Sequence, residues 1–386
     1  MRKILICIFL SLLLFSCFES RKKENLTYID ANRIKTIKLD EVFTKMEINP
    51  LHTNDSSLIS SIEKIIHWNN ELYIFDRNQK AILIFKDDGG YSRKLRNVGR
   101  GPGQYLDIAD FTINPYNNNI EFVDGRCLYI YDNFGRFIKK IEIANEKLKA
   151  VNKLEIINKD IIFFFFHPLS NKCVFYSRKA SKILEIKNIY PEWAKEYIQF
   201  VPENGLYRNG NEINSFEAFS NKVYKIVEND FILKYEWDFG KYNFEYEEPS
   251  LSNLIKSTKG EYFTTNWKSF VNNFVILFKH NIENNKFIFT DFFFNGEPCS
   301  LLYNKVSKNY LMFNGKFSKL IYISHVIFFG DEKLVIFIDP KYLKELPKDW
   351  FSEANQKIID KVNIFSNPVI LTLSFKQNLL EEINKP

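Results

Sequence analysis

The chain has 386 residues, 45% of them apolar and 16% aromatic, with 38 Phe and 20 Tyr against 14 Gly and 12 Pro. That length allows one large domain or two ordinary ones, and the composition excludes a collagen-like or disordered chain. A formal charge of +6 is spread along the chain without a Lys/Arg cluster, which does not point to nucleic acid.

The first residues carry the most specific local signal. Arg2-Lys3 supplies a positive start, Ile4 to Phe15 an apolar run, and Leu14-Phe15-Ser16-Cys17 has the form of a lipobox, a small residue just before a Cys. The run is too short for a comfortable membrane span, which needs ~20 residues. Residues 1–16 are therefore expected to be a lipoprotein signal peptide, with Cys17 carrying the lipid that anchors the chain to a membrane of a Gram-negative envelope. A polar tether over 17–30 follows, beginning Glu19-Ser20-Arg21-Lys22-Lys23. The remaining cysteines, Cys127, Cys173 and Cys299, are odd in number and far apart, which excludes a dense disulfide scaffold. Without CxxC spacing or paired His there is no zinc signature, and no metal or cofactor is expected.

Beyond the tether the chain repeats. Glu71-Leu-Tyr-Ile-Phe-Asp76 matches Asn119-Ile-Glu-Phe-Val-Asp124 at an offset of 48, and Ala81-Ile-Leu-Ile-Phe85 matches Cys127-Leu-Tyr-Ile-Tyr131 at 46. Gly89 and Gly135 then introduce third strands at Tyr91–Leu95 and Phe137–Ile143. Each unit reads strand, Asp turn, strand, Gly turn, strand, preceded by another strand-like run (Ile59–Trp68, Ile108–Ile113). Four antiparallel strands in a period of ~40–50 residues mark a propeller blade. Less regular units follow at Lys153–Ile186, Ser215–Phe239 and Phe270–Phe294, and the last draws on Val326–Asp339 and Pro368–Phe375. The reading is an all-β, six-bladed β-propeller over residues 31–378 with a tail at 379–386. Small helical insertions are expected at Leu251–Lys256, after the acidic Glu245–Pro249, and at Trp350–Val362. A ring must hide its sheet edges, and Arg33–Leu39 is the expected strand that closes it.

Several segments together resemble the six-bladed β-propeller lipoproteins of Bacteroidota-type bacteria, whose architecture is like that of NHL-repeat proteins. They are Gly99-Arg-Gly-Pro-Gly-Gln-Tyr105 before Asp110-Phe111, Asp132-Asn-Phe-Gly-Arg-Phe137, Val223-Tyr224 leading to Trp237-Asp-Phe-Gly240, and Asn367-Pro-Val-Ile370. The resemblance spans about Arg33 to Phe375. It implies the fold and an exported location, but no settled activity. The family motif ends in Glu-Tyr where this chain has Gln104-Tyr105, so no carboxylate stands there.

The glycine-rich segment is the most tempting site. Gly99, Gly101 and Gly103 permit close backbone approach, Pro102 stiffens the turn, and Arg96 and Arg100 add charge for an anion nest. The plainer and weightier reading is a rigid connection between the first two blades. Candidate ligand contacts are Arg96, Arg100, Gln104, Tyr105 and Trp350. Asp76, Asp124, Gly89 and Gly135 recur in equivalent places, so they are expected to be structural, and His52, His67, His167, His280 and His325 have no neighbouring partner in sequence. The expected function is binding or scaffolding by a monomer that holds a glycan, peptide or envelope protein on an end face of the propeller. The alternative is a polymer-acting hydrolase or lyase in the axial funnel.

Overall fold

The computed structural model describes residues 25–143, 150–166, 172–188, 205–217, 219–244 and 272–376. Its strands form six sheets, each of at least four strands in antiparallel order, arranged as six blades. Blade 1 comprises Lys64–Trp68, Glu71–Asp76, Ala81–Lys86 and Tyr91–Leu95, and blade 2 Asp110–Ile113, Ile120–Asp124, Cys127–Tyr131 and Phe137–Glu142. The first strands of blades 3 to 6 are Val151–Ile156, Gly205–Asn209, Asn281–Glu283 and His325–Phe329. Neighbouring first strands touch around the axis, blade 3 meeting blade 4 through Arg208, whose Nη2 donates to the Ile156 carbonyl.

Alternation along each strand explains why the blades stack. Successive side chains point to opposite faces, and both faces of a blade are covered. In blade 1, Leu72 and Ile74 pack with Val335 and Phe337 of blade 6, while Tyr73 and Phe75 pack with Phe111 and Phe122 of blade 2. In blade 3, Ile162 and Phe164 face Val123 and Ile130 of blade 2, and Phe163 and Phe165 face Ile213 and Ile226 of blade 4. The run Ile161–Phe166 is apolar throughout because it is sandwiched on both sides, as strands with two buried faces are. Two further clusters join blades 4 and 5 and blades 5 and 6.

The ring closes through an N-terminal strand, but not the one expected. Phe43–Pro50 pairs antiparallel with Val369–Phe375 as the outermost strand of blade 6. Within Arg33–Leu39, only Lys35–Thr36 is extended, and it pairs parallel with Tyr310–Asn314 on the outer edge of blade 5. Leu26–Tyr28 does the same for Asp230–Asp238 on blade 4. The N-terminal segment thus runs along the outer edges of blades 4 and 5 before entering blade 6. Ile34, Ile37 and Leu39 with the β-branched Thr36 give the segment strand-like composition, yet Ile29 and Ala31 are the residues buried in the seam between blades 4 and 5.

Gly89 and Gly135 hold the same left-handed conformation, φ +88° and +84°. At Gly89 a Cβ would lie 2.7 Å from the Pro50 carbonyl oxygen, so the closing strand itself requires glycine there. The segment at Trp350–Val362 contains a helix at Glu353–Lys361, and a second helix, Lys316–Ile323, buries Phe317, Leu320 and Ile321. The expected helix at Leu251–Lys256, the acidic stretch before it, Cys17 and the C-terminal tail lie outside the described residues. Cys127, Cys173 and Cys299 are all free thiols, and burial pushes those of Cys173 and Cys299 up to about 12.

Candidate functional site: the axial cavity

The repeat Asp residues pin the blades together. Each ends the second strand of its blade and accepts a backbone N–H from the connection that leads into that blade. Asp76 takes Ser60 N at 2.6 Å and Asp124 takes Leu106 N at 2.8 Å. Asp76 also accepts both Ser60 and Ser61 hydroxyls and Gln79, so it is fully used. Blade 5 has a third member that the sequence reading missed. Asp291 takes His280 N at 2.7 Å in the same manner. Its other oxygen meets the His280 ring, with Nδ1 2.8 Å away. Lys286-Phe-Ile-Phe-Thr-Asp291 is the counterpart of Glu71–Asp76, a signal that was available in the sequence.

His280 lines a cavity of about 230 Å³ at the starts of the first strands. Lys64 and Asp110 come from blades 1 and 2, Asn152 and Lys153 from blade 3, Tyr207 from blade 4, and Lys279, His280 and Asn281 from blade 5. Arg77 reaches in from the turn after Asp76, bonded to Glu63 Oε1 at 3.0 Å and to the Ala109 carbonyl at 3.2 Å. That guanidinium holds the Glu63 carboxyl below its usual range, against the opposing effect of burial.

On one side the charges are paired across four blades. Lys64 Nζ lies 3.1 Å from Asp110 Oδ1, 3.5 Å from Glu155 Oε1 and 2.8 Å from the Phe111 carbonyl. Glu155 also accepts from Thr112 Oγ1 at 3.1 Å and Arg208 Nη2 at 3.2 Å. Burial pushes the Asp110 carboxyl up despite Lys64. Burial also opposes the charge on Glu155, but Lys64 and Arg208 outweigh it and hold that carboxyl down. Between blades 4 and 5 the buried Glu283 accepts from Tyr207 Oη at 3.0 Å and pairs with Lys234 and with Lys305 at 2.6 Å.

The other side carries Lys279, His280 and, beside them, His325. The Lys279 ammonium donates to the Tyr322 carbonyl, and burial pushes its pKa down with only Asp291 opposing. His325 opens the first strand of blade 6 beside them. Burial, then repulsion from His280 and Lys279, pushes its imidazole down to about 4. A His whose folded value lies below its ordinary 6.5 is neutral in the fold and takes up a proton on unfolding. Stability from this residue is therefore complete above pH 6.5 and is lost as pH falls from 6.5 through 4. The loss should reach about 3 kcal/mol. Denaturant melts across that window should show it, and His325→Phe should flatten the profile.

None of the residues expected to contact ligand lines this cavity. Tyr105 is fully buried, its hydroxyl 2.9 Å from the Lys80 carbonyl. Gln104 folds back to accept Gly101 N at 2.7 Å, and Gly99 N donates to the Tyr105 carbonyl at 2.9 Å. The N–H groups of Gly99, Gly101 and Gln104, which an anion nest would need, are thus used within the turn itself. Gly103, at φ +70°, faces the Phe137 ring, where a Cβ would clash at 2.7 Å. Pro102, Arg96 and Arg100 are exposed, with Arg96 Nε on the Gln79 carbonyl at 3.1 Å. Trp350 packs edge-on against Phe317, far along the chain in blade 6.

A family model described as a domain of unknown function, DUF4934, matches residues 26–374. The chain belongs to that family. Among curated proteins nothing matches a DUF4934 chain of this sequence. Its fold is similar to that of a solved Bacteroides fragilis protein named as exported, at 17% identity and TM-score 0.70, covering 91% of this chain and all of the other. It is also similar to a DUF4221-family member from Bacteroides vulgatus, at 13% identity and TM-score 0.53, covering 88% of this chain and 99% of the other. Both likenesses are of fold.

Proposed function

We propose that this DUF4934 propeller is an exported, lipid-anchored binding protein of the cell envelope that takes part of its ligand into the axial cavity. The observation that carries the reading is the convergence of charged side chains from four blades, Lys64 with Glu63 and Arg77, Asp110, Lys153, and Lys279 with His280, on one solvent-reachable cavity. A structural core has no use for that arrangement, because burying charge costs free energy that apolar packing would not. The exported Bacteroides neighbour and the leader ending at Cys17 support the location. Function in repeat folds sits where the repeats differ, and each of the five blades that line this cavity contributes a different set of side chains.

The test is a glycan and peptide array probed with wild type and with Ala109→Trp, which fills the cavity from its wall. The variant should lose the bound features, with a melt reporting what it costs to crowd the blade 2–3 core on which Ala109 also packs. Equal array binding by both removes the cavity from the reading. For the anchor, a radiolabelled fatty acid should mark wild type and not Cys17→Ala, and equal labelling rejects it.

A hydrolase or lyase in the same funnel is the second reading, favoured by one observation. Asp291 fixes the His280 ring through Nδ1, the arrangement a general base uses. Fragment release from a polymer pool that His280→Ala abolishes would establish it over simple binding.

A further inference from the structure

We propose that the cavity recognises the carboxylate of a uronic-acid unit, gripped by His280 and Lys279. This rests on the axial cavity being the binding site. In blades 1 and 2 the pinning Asp takes the N–H of Ser60 or Leu106, four residues ahead of the first strand, whereas in blade 5 it takes that of the residue directly ahead. Blade 5 presents a histidine to the same pin, so a structural contact has become an oriented ring on the cavity wall. Nδ1 is taken up by Asp291, which leaves Nε2 for the ligand, donating to a carboxylate when the ring carries both protons. The Lys279 ammonium keeps two further N–H groups beyond its bond to the Tyr322 carbonyl.

The groups facing His280 set the sign of the ligand. Lys279, His325 and Asp291 face it, and Glu63 lies near His325 across the seam with blade 1. Asp110 faces Lys64, and Glu63 faces Arg77, so those pairs are internally matched. The Lys279 ammonium and the His280 ring edge both face this side of the cavity, His325 beside them being uncharged at neutral pH, and a carboxylate on the ligand would accept from both.

Size and the remaining lining choose among anions. About 230 Å³ is below the ~300–1,000 Å³ of cavities that enclose a whole drug-sized ligand. It suits one sugar ring of a longer chain. Asn281 offers both donor and acceptor groups, while Glu63 and Asp110 accept. That mixture matches a ring of hydroxyls, which a peptide end lacks. Phe216 and Tyr207 supply apolar ring surface beside it.

Calorimetry on the full-length protein in detergent tests this with methyl galacturonoside, methyl glucuronoside, their neutral hexoside counterparts, and a tripeptide with a free carboxyl end. The uronosides should bind at least about tenfold tighter than the neutral sugars, the size of one charge-assisted hydrogen bond. His280→Gln and Lys279→Met should each cut the ratio of uronoside to neutral-sugar affinity several-fold, whatever each does to affinity as a whole or, through Asp291, to the melting temperature. Three results would overturn the proposal: neutral sugars binding equally well, a preference that survives both substitutions, or a tripeptide that binds tighter than either uronoside. If array binding is nevertheless lost in Ala109→Trp, the cavity remains the site and only the carboxylate is wrong.

Discussion

A chain beginning at Leu51 should fail to form the propeller, giving aggregate or a non-cooperative melt where the full chain melts in one transition. The missing strand, Phe43–Pro50, is the outer strand of blade 6, in register with Val369–Phe375 from Pro50 at one end to Phe43 at the other. It buries Phe43 and Ile48, and the Phe43 ring packs 5.3 Å from Phe375 and 5.8 Å from Phe317. Each buried side chain contributes ~1.5–3 kcal/mol and each ladder hydrogen bond ~1 kcal/mol. Their sum approaches the whole stability of an ordinary domain, ~5–15 kcal/mol. The loss also bares the edge that holds Leu371, Leu373 and Phe375, a template for pairing between chains. A chain beginning at Lys38 is the control. It loses only the short parallel strands on blades 4 and 5 and the packing of Ile29 and Ala31, so it should still fold, with a lower melting temperature. A chain from Leu51 that melts like the full-length protein would refute closure by this strand.

The blades were legible because their central strands carry apolar residues on both faces, and such runs survive sequence divergence between repeats. The predicted Tyr91–Leu95 strand is found at those residues. Outer strands were harder to read. Phe43–Pro50 has one wet face, and Thr44, Lys45 and Glu47 dilute its pattern below that of Ile34, Ile37 and Leu39. Local alternation states that a segment can be extended, but not which distant edge it meets. In blade 5 the strands Glu297–Asn304 and Tyr310–Asn314 were passed over, and Val275–Phe278, read as a strand, makes only isolated bridges. The candidate site was less legible still. A turn with three glycines reads the same whether its N–H groups face outward or, as here, fold onto Gln104 and Tyr105. His280 carried no local motif. Its meaning comes from Asp291, eleven residues on, and that equivalence shows only when blade 5 is aligned on blades 1 and 2.

Lys64→Met should destabilise the propeller by about 3–5 kcal/mol at neutral pH, the cost of removing one partner from a buried ion pair. The Lys64 ammonium is the cation that Asp110 and Glu155 share, and its side chain is 23% exposed against 9% and 4% for the two acids. Burial disfavours that ammonium, but Asp110 and Glu155 outweigh burial and hold its proton more firmly than usual. Without it, Glu155 keeps Arg208 and Thr112, whereas Asp110 keeps the Leu154 N–H at 3.0 Å and the weaker pull of the Lys153 charge. Burial already raises the Asp110 carboxyl above its ordinary 3.8, and the variant removes the main opposing charge. The sign follows from linkage. A carboxyl raised in the fold binds its proton more tightly there than in the unfolded chain, so its contribution is favourable at low pH and is lost as pH rises through the folded value. The deficit of Lys64→Met should therefore be smaller at pH 5 than at pH 8 in urea melts. Asp110→Asn added to Lys64→Met should recover much of the loss, because the carboxylate left without a cation is then gone. A deficit that is equal at both pH values and unaffected by Asp110→Asn would mean that Lys64 acts through packing of its aliphatic stem, and that the axial charges are not coupled.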